Sequence, residues 1–346
     1  MKAFLSSIFS SEALRGVAWR VPAGAVGAIA IVGGCELFLH AGSRWLPDPV
    51  LWGSNEVSAK VEQVRRMAAA GRAPVDVLIL GPSHASVGLS PKEMAAAGPL
   101  RIYNGALNGR TYPALEFVFR HVYEPLLKPR TLVLAVSPLV LNAHNRWMER
   151  NSAQLFASPY PTALQASGPI RPLRRFLVDH VGLYRYRHRQ QGLRDGRIDG
   201  RRRLDEFGFV GAATAVYRAA PDGLPRDHPY RQIMHAYDFS GPSVDAFVRL
   251  LSWGREANVP IVVVNMPFRG AMLDISATGR ADYERYLAAM AGLRREFGFR
   301  WLDYEGGLTL ADAEFRDVDH LNAAGVARVS RQLGQDLGLL VAEAAR

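Results

Sequence analysis

The sequence predicts an α/β fold: a doubly wound, mainly parallel sheet flanked by helices, with one N-terminal transmembrane helix and a long insertion. Short apolar runs that alternate with segments of helical periodicity indicate the sheet, and a nineteen-residue apolar stretch indicates the membrane helix. The alternation stops in the middle of the chain, which marks the insertion. We therefore assign residues 1–40 to a cytoplasmic N-terminus and anchor, 41–75 to a polar linker, and 76–346 to the main domain, with its insertion at about 140–240.

The apolar stretch covers residues 21–39, VPAGAVGAIAIVGGCELFL. At a rise of about 1.5 Å per residue, this length matches a bilayer core of about 30 Å. Basic residues precede the stretch more often than they follow it, which predicts a single-pass inner-membrane protein with a periplasmic main domain. A cleaved signal peptide, lipidation at Cys35 and a buried soluble helix stay open as alternatives. Glu36, near the outer end, either reaches the membrane interface or contacts a membrane partner.

The charge of the chain is basic and unevenly distributed. The net charge is +10, and residues 170–203 alone contain eleven Arg and three Asp. This excess suits an anionic polymer or membrane surface. Nucleic acid is not an expected partner, because the domain is exported and has no nucleic-acid motif. With one cysteine and no clustered His or Cys ligands, we expect no intrachain disulfide, no metal and no cofactor.

Five apolar runs are expected to form the strands of the sheet: residues 76–80, 101–103, 131–136, 261–265 and 300–303. Helices are expected to start at about Pro91 and Asn322 and to span residues 113–127, 243–257 and 282–297. Ligands bind outside the carboxyl ends of strands in such sheets. The loops after these strands are therefore where a site is expected.

Ser83 stands in one of these loops, three residues after the first strand, in the sequence Gly81-Pro82-Ser83. A serine on a sharp turn at this edge of the sheet is exposed to a ligand, and the glycine allows the turn. An ordinary turn with a solvated serine is the alternative.

A potential base for that serine lies before the last helix, in Asp317-Val318-Asp319-His320. A serine hydroxyl near neutral pH is a poor nucleophile and needs a base. We assign His320 as the base and Asp317 as the carboxylate that fixes its tautomer. The alternative is a cluster at the helix start in which Asp319 and Asn322 merely cap the last helix.

Together these segments resemble the SGNH (GDSL-like) hydrolase superfamily, which has a flavodoxin-like fold. Its first block matches Gly81–Ser83 and its last, D-x-x-H, matches Asp317–His320. The resemblance implies an oxyanion hole to which Ser83 and Gly109, the glycine of the second block, contribute. Asn108 or Asn142 could supply the side-chain donor that the third block provides in the family. Two departures stand out: a proline replaces the aspartate of the first block, and the third block, G-x-N-D, is absent.

The pattern is most similar to membrane-anchored proteins of alginate and cellulose O-acetylation and of teichoic-acid D-alanylation. That similarity implies acyl, expected to be acetyl, transfer to or from an envelope or secreted polysaccharide through an acyl-enzyme. It also implies a membrane-bound O-acyltransferase as partner. A non-catalytic scaffold and a lipid or small-ester hydrolase stay open, as do the identity of the glycan and the choice between transfer and hydrolysis.

The insertion contains a segment in which aromatic and basic residues alternate. Tyrosine faces stack on sugars, and arginine pairs with carboxylate or phosphate. The candidate substrate-binding residues are Tyr184, Arg185, Tyr186, Arg187 and Arg189. A solvated helix face near anionic lipid headgroups is the alternative.

Overall fold

The computed structural model describes residues 23–42, 45–46, 50–186, 204–211, 230–231 and 237–344. The strands are β1 Val77–Leu80, β2 Ile102–Asn104, β3 Thr131–Val136, β4 Ile261–Asn265 and β5 Arg300–Asp303. They form one parallel sheet in the order β2-β1-β3-β4-β5. This is the flavodoxin-like doubly wound order, so the predicted fold class is confirmed.

Helices cover both faces of the sheet. The helices before β3 are α1 Ala23–Ala41, which does not pack on the sheet, α2 Asn55–Ala69, α3 Ser83–Ser86, α4 Pro91–Met94, α5 Tyr112–Val118 and α6 Glu124–Leu127. Between β3 and β4 they are α7 Arg146–Phe156, α8 Pro159–Gln165, α9 Ile170–His180, α10 Gly182–Arg185 and α11 Gly241–Glu256. The remaining ones are α12 Gly279–Phe297, α13 Tyr304–Gly307 and α14 Ala323–Ala344.

Strands β1 to β4 are buried on both faces, apart from half-buried Thr131, as their near-continuous apolar sequences predict. The edge strand β5 is only partly buried, and its first residue, Arg300, is exposed. Along β1 the side chains alternate between two cores: Leu78 and Leu80 enter one, and Val77 and Ile79 enter the other. The second core is closed by α14, which contributes a buried apolar stripe of Val326, Val329, Leu333 and Leu337. Because all strand pairs are parallel, the five strands end at the same edge of the sheet, where the loops after β1, β2 and β3 meet.

Helices α5 and α6 form one continuous helix that contains a π turn at Phe119–Tyr123. Pro125 is the second residue after this turn. Proline has no backbone N–H and its ring crowds the preceding turn. The widened turn accommodates the proline, so the predicted helix over 113–127 forms without a break.

Helix α2 corrects the assignment of residues 41–75 as a polar linker. Val57, Val61 and Val64 are buried and belong to the same core as Leu78 and Leu80. This part of the predicted linker therefore belongs to the main domain.

Helix α1 contains a segment, Gly24–Ala41, long and apolar enough to cross a membrane. None of that segment is buried against the rest of the described chain, which argues against the buried soluble helix. Near its end, the Glu36 carboxylate accepts hydrogen bonds from the N–H groups of Gly182 (2.5 Å) and Leu183 (2.9 Å). The acidic residue of the apolar stretch thus contacts the insertion of its own chain.

The insertion also covers the edge of the sheet at β2. A short bridge joins Leu204 to Val210. Asn104 donates its N–H to Phe207 O at 2.8 Å, and Val210 donates its N–H to Ser86 O at 3.1 Å. Unpaired edges of sheets invite aggregation, so this segment protects β2 and braces the turn that contains Ser83.

The position of α2 in the core gives a stability prediction. Val61→Ala removes about two methylene equivalents from a site that is 1% exposed, so we expect a loss of about 2 kcal/mol in the free energy of unfolding. Glu62→Ala on the exposed face of α2 is the control, with an expected change within about 0.5 kcal/mol. Denaturant titration of the full chain measures both, and equal values would place α2 outside the cooperative domain.

Candidate active site

Ser83 is the first residue of α3, directly after the turn that ends β1. The turn is tight at Gly81, where an added Cβ would lie 2.9 Å from Ala135 Cβ. Pro82 is extended (φ −77°, ψ −157°) and starts the helix. The N–H of Ser83 has no acceptor within the described residues, as expected at the first position of a helix. It is free to donate to a ligand.

The structure brings the three residues predicted to act together into contact. Ser83 Oγ lies 2.8 Å from His320 Nε2. On the other side of the imidazole, Asp317 Oδ1 lies 2.9 Å from Nδ1 and also accepts the N–H of His320 at 2.8 Å. Because Nδ1–H donates to a carboxylate, neutral His320 presents an unprotonated Nε2 to the serine hydroxyl.

A second carboxylate, missed by the sequence reasoning, lies on the same nitrogen. Asp319 Oδ1 is 2.9 Å from His320 Nδ1. Asp319 Oδ2 is 2.5 Å from His84 Nε2, and Tyr230 donates its hydroxyl to Oδ1 at 2.5 Å. The alternative in which Asp319 merely caps the last helix does not fit, because the Asp319 side chain turns inward onto His84 and His320. The cap is made by Asn322, which accepts from the backbone N–H groups of that helix.

The two carboxylates differ in burial. The Asp319 side chain is 2% exposed, and the Asp317 side chain is 41% exposed. Burial alone would raise the pKa of Asp319, but the adjacent His320 and His84 hold it well below its usual range. Burial alone would lower the pKa of His320, but the charge of Asp319 and the hydrogen bonds that the imidazole donates to both aspartates raise it to about 9. Asp319 is thus the stronger electrostatic partner of the imidazole.

His84 continues this set of contacts. Its Nδ1 lies 3.4 Å from Ser137 Oγ, in the loop after β3, and its ring centroid lies 5.2 Å from that of His320. The polar side chains therefore form a continuous chain of contacts in the order Ser83, His320, Asp319, His84 and Ser137. The sequence signal that was available for His84 was its position directly after the serine.

A pocket of about 300 Å³ opens beside Ser83 and His320. Its walls are mostly apolar and come largely from the insertion; they include Leu139, Val140, Trp147, Met148 and Tyr230. Trp147 is 47% exposed. The volume is at the small end of ligand sites, so the pocket suits a small substrate group.

Of the predicted oxyanion-hole residues, Gly109 lines the pocket together with Ser83. Its φ of +63° favours glycine, and its N–H has no acceptor within the described residues. Asn108 is not among the pocket-lining residues, and its backbone N–H donates to Glu56 Oε2 at 3.1 Å. The assignment of Asn108 to the oxyanion hole is therefore not supported by its position.

A buried ion pair on α2 supports the loop that contains Gly109. Lys60 donates to the carbonyl of Asn104 at 3.1 Å and to the carbonyl of Ala106, and its Nζ lies 3.6 Å from Glu56 Oε1. Glu56 also accepts the hydroxyl of Ser86 at 2.7 Å. The pair thereby joins the helix of the nucleophile candidate to the loop after β2. No motif pointed to it, because its function depends on where α2 packs.

Three side chains in the described part of the chain are close enough to share a cation. These are His84, Asp319 and His320, whose ligand atoms lie within 4.8 Å of one another. The 2.5 Å contact between His84 and Asp319 is a hydrogen-bond distance, and a bound metal would replace it. The Nε2 of His320 faces Ser83. The geometry therefore fits hydrogen bonding better than metal ligation.

The aromatic and basic segment of the insertion lies apart from the pocket. Tyr184 and Arg185 belong to α10 and Tyr186 follows it, beside the outer end of α1, and none of the three lines the pocket around Ser83. Arg187 and Arg189 fall outside the described residues. The predicted substrate contacts of Tyr184, Arg185 and Tyr186 are not made in this pocket.

No protein-family model matches the chain, and no curated protein matches it. Solved structures do. A GDSL-like lipase from Bacteroides thetaiotaomicron is 8% identical, with a TM-score of 0.36 over 81% of this chain and 98% of the lipase. A G-D-S-L family lipolytic protein from Desulfitobacterium hafniense is 7% identical, with a TM-score of 0.36 over 75% and 98%. A protein assigned as an arylesterase from Agrobacterium tumefaciens is 14% identical, with a TM-score of 0.35 over 75% and 97%.

The pKa of His320 gives a prediction for the site. The raised pKa means that ionised His320 stabilises the fold below its unfolded pKa of about 6.5, and this stabilisation is lost as the pH rises through about 9. We expect Asp319→Asn to lower the His320 pKa more than Asp317→Asn does, because Asp319 is buried. NMR titration measures the His320 pKa in the unchanged chain and in the two variants, and His320→Gln assigns the imidazole signal. A larger shift in the Asp317 variant would contradict this order.

Proposed function

We propose that the chain is an SGNH-type serine enzyme that transfers an acyl group through a covalent intermediate on Ser83. The contact that carries this proposal is the 2.8 Å distance between Ser83 Oγ and His320 Nε2, with two aspartates on the opposite nitrogen. A base in contact with the serine, itself oriented by a carboxylate, is the arrangement that activates a hydroxyl nucleophile.

In the proposed mechanism, His320 Nε2 takes the proton of Ser83 as Oγ attacks the carbonyl of the donor ester. The N–H groups of Ser83 and Gly109 donate hydrogen bonds to the carbonyl oxygen and stabilise the negative charge that develops on it. The imidazolium, held by Asp319 and Asp317, then protonates the leaving alcohol. In the second half, His320 Nε2 deprotonates the acceptor hydroxyl, whose oxygen attacks the carbonyl of the acyl-serine. The bond between the acyl group and Ser83 Oγ breaks, the acylated acceptor leaves, and the imidazolium returns the proton to Ser83 Oγ.

The acyl group in this proposal is short, and acetyl is the choice best suited to the pocket. The apolar walls and the volume of about 300 Å³ leave room for a small group beside Ser83. The same apolar lining also favours a second candidate, hydrolysis of a lipid or other small ester. The two differ in whether a sugar hydroxyl or water attacks the acyl-enzyme.

The acceptor in this proposal is an envelope or secreted polysaccharide, and the partner is a membrane-bound O-acyltransferase that supplies acyl groups. The motif resemblance and the apolar helix α1 support this placement. In the proposed topology, α1 anchors the chain in the inner membrane with the N-terminus in the cytoplasm. The domain that contains Ser83 then faces the periplasm.

Labelling of Ser83 tests the covalent step. Incubation with p-nitrophenyl acetate is expected to acetylate Ser83, with the adduct detected by intact-mass and peptide mass spectrometry. Ser83→Ala abolishes the adduct, and His320→Ala suppresses it nearly as far, because the two residues act as a unit. Asp319→Asn is expected to slow labelling more than the matched Asp317→Asn. Labelling should also speed up as the pH rises toward about 9, as His320 loses its proton.

The fate of the adduct separates the alternatives. An adduct that persists in water and disappears on addition of a sugar acceptor indicates a transferase, and one that turns over in water alone indicates a hydrolase. If Ser83 is never labelled, and Ser83→Ala still supports polysaccharide modification in cells, the chain is a non-catalytic scaffold.

Gly109→Ala tests the oxyanion hole. The new Cβ would lie 3.1 Å from Asn151 Nδ2 and from the Trp147 ring, at a φ of +63°. The resulting displacement of the N–H should lower the labelling rate by about 10²–10³, the cost of one oxyanion donor. Gly71→Ala is the matched control, because its φ of +68° imposes the same strain in open space. Equal labelling rates in the two variants would remove Gly109 from the site.

A further inference from the structure

Helix α9, Ile170–His180, has its apolar side on the outside of the protein. Ile170 is 46% exposed, and Leu173 and Phe176 are each 55% exposed. At 100° per residue these three side chains lie within one sector of the helix. Surface helices of soluble domains normally turn such a sector toward the core.

The opposite side of α9 is the one that packs on the protein. Val178 is fully buried. Arg174 donates to the carbonyl of Thr162, and Arg175 pairs with Asp179 at 3.0 Å. The Arg175 guanidinium also lies over the Tyr160 ring, 5.5 Å from its centroid. The basic residues therefore fix α9 to the domain and flank its apolar sector, which points away from the domain.

The membrane helix ends beside α9. Only Val181 separates α9 from α10, Gly182–Arg185, whose first two N–H groups donate to Glu36. Glu36 lies in the last two turns of α1, near the outer end of the apolar segment. Leu183, 37% exposed, extends the apolar surface from α9 toward α1. The apolar sector of α9 is thus connected to the membrane-crossing segment through α10, which contacts both helices.

We propose that α9 lies in the outer interface of the bilayer that α1 crosses, with Ile170, Leu173 and Phe176 inserted among the acyl chains. This rests on the anchoring by α1 proposed above. An apolar sector flanked by arginines is the composition of an interfacial helix. The bilayer is the occupant that the structure favours, because Glu36 fixes this helix pair at the end of the membrane span.

The proposal gives the insertion a mechanical role. Helix α9 packs on α8, and α8 packs on α7, which provides Trp147 and Met148 to the pocket. An interfacial α9 holds this wall of the pocket at a set height above the membrane. The acyl donor is then reached from the membrane side of the domain.

Site-directed labelling of the full chain tests the depth of α9. Cys35 is the one cysteine and is exposed on α1, so Cys35→Ser provides the background. Leu173→Cys receives a nitroxide, and Leu339→Cys on α14, with Leu339 64% exposed, is the matched control. Both are reconstituted in vesicles of phosphatidylethanolamine and phosphatidylglycerol. Collision of the label with oxygen, which is enriched in the bilayer, is compared with collision with a water-soluble nickel chelate.

The label at position 173 is expected to collide with oxygen and to be shielded from nickel, and the label at 339 to show the reverse. The proposal is overturned if position 173 matches position 339, or if position 173 is shielded from both reagents, as in a protein contact. Vesicle flotation reports the anchoring by α1, and acetylation of Ser83 reports the enzyme. A failure of the membrane anchor or of the enzyme activity is thus distinguishable from a failure of α9 to insert.

Discussion

The buried carboxylate of Asp319 is the constraint on which the site depends. A carboxylate with 2% exposure is costly unless positive or hydrogen-bonding groups surround it. Here two imidazoles and a phenol do so, and they come from the turn after β1, the loop before α14 and the insertion. Satisfying one charge therefore holds three distant segments in place. It also sets the position and the charge of His320 beside Ser83.

A second buried charge pair organises the other side of the serine. Burial lowers the pKa of Lys60 to about 8 against the opposing effect of Glu56, and the ammonium is used to hold two backbone carbonyls of the loop after β2. Glu56 links this loop to α3. The nucleophile candidate and Gly109 are thus fixed relative to each other by a helix that precedes the sheet in sequence.

The insertion between β3 and β4 connects the site to the rest of the molecule. One part covers the edge strand β2, another lines the pocket with Trp147 and Met148, and a third contacts Glu36 of α1. Its weak periodicity follows from these contacts. Each short segment of the insertion packs against a different part of the protein, so no single apolar repeat extends through the insertion.

The sequence by itself determined the parallel sheet and the pairing of Ser83 with His320 and Asp317. It gave the bounds of β3, β4 and β5 as observed, those of β1 to within one residue, and those of β2 shifted by one residue. The strands follow from local periodicity. The pairing follows from two short motifs, one directly after the first strand and one directly before the last helix. Only the tertiary structure decided that Asp319 turns inward, that Tyr230 and His84 meet it, and that Glu56 occupies the N–H of Asn108. Burial and long-range contacts arise when distant segments close on one another, and no local pattern encodes which of two neighbouring aspartates will be desolvated.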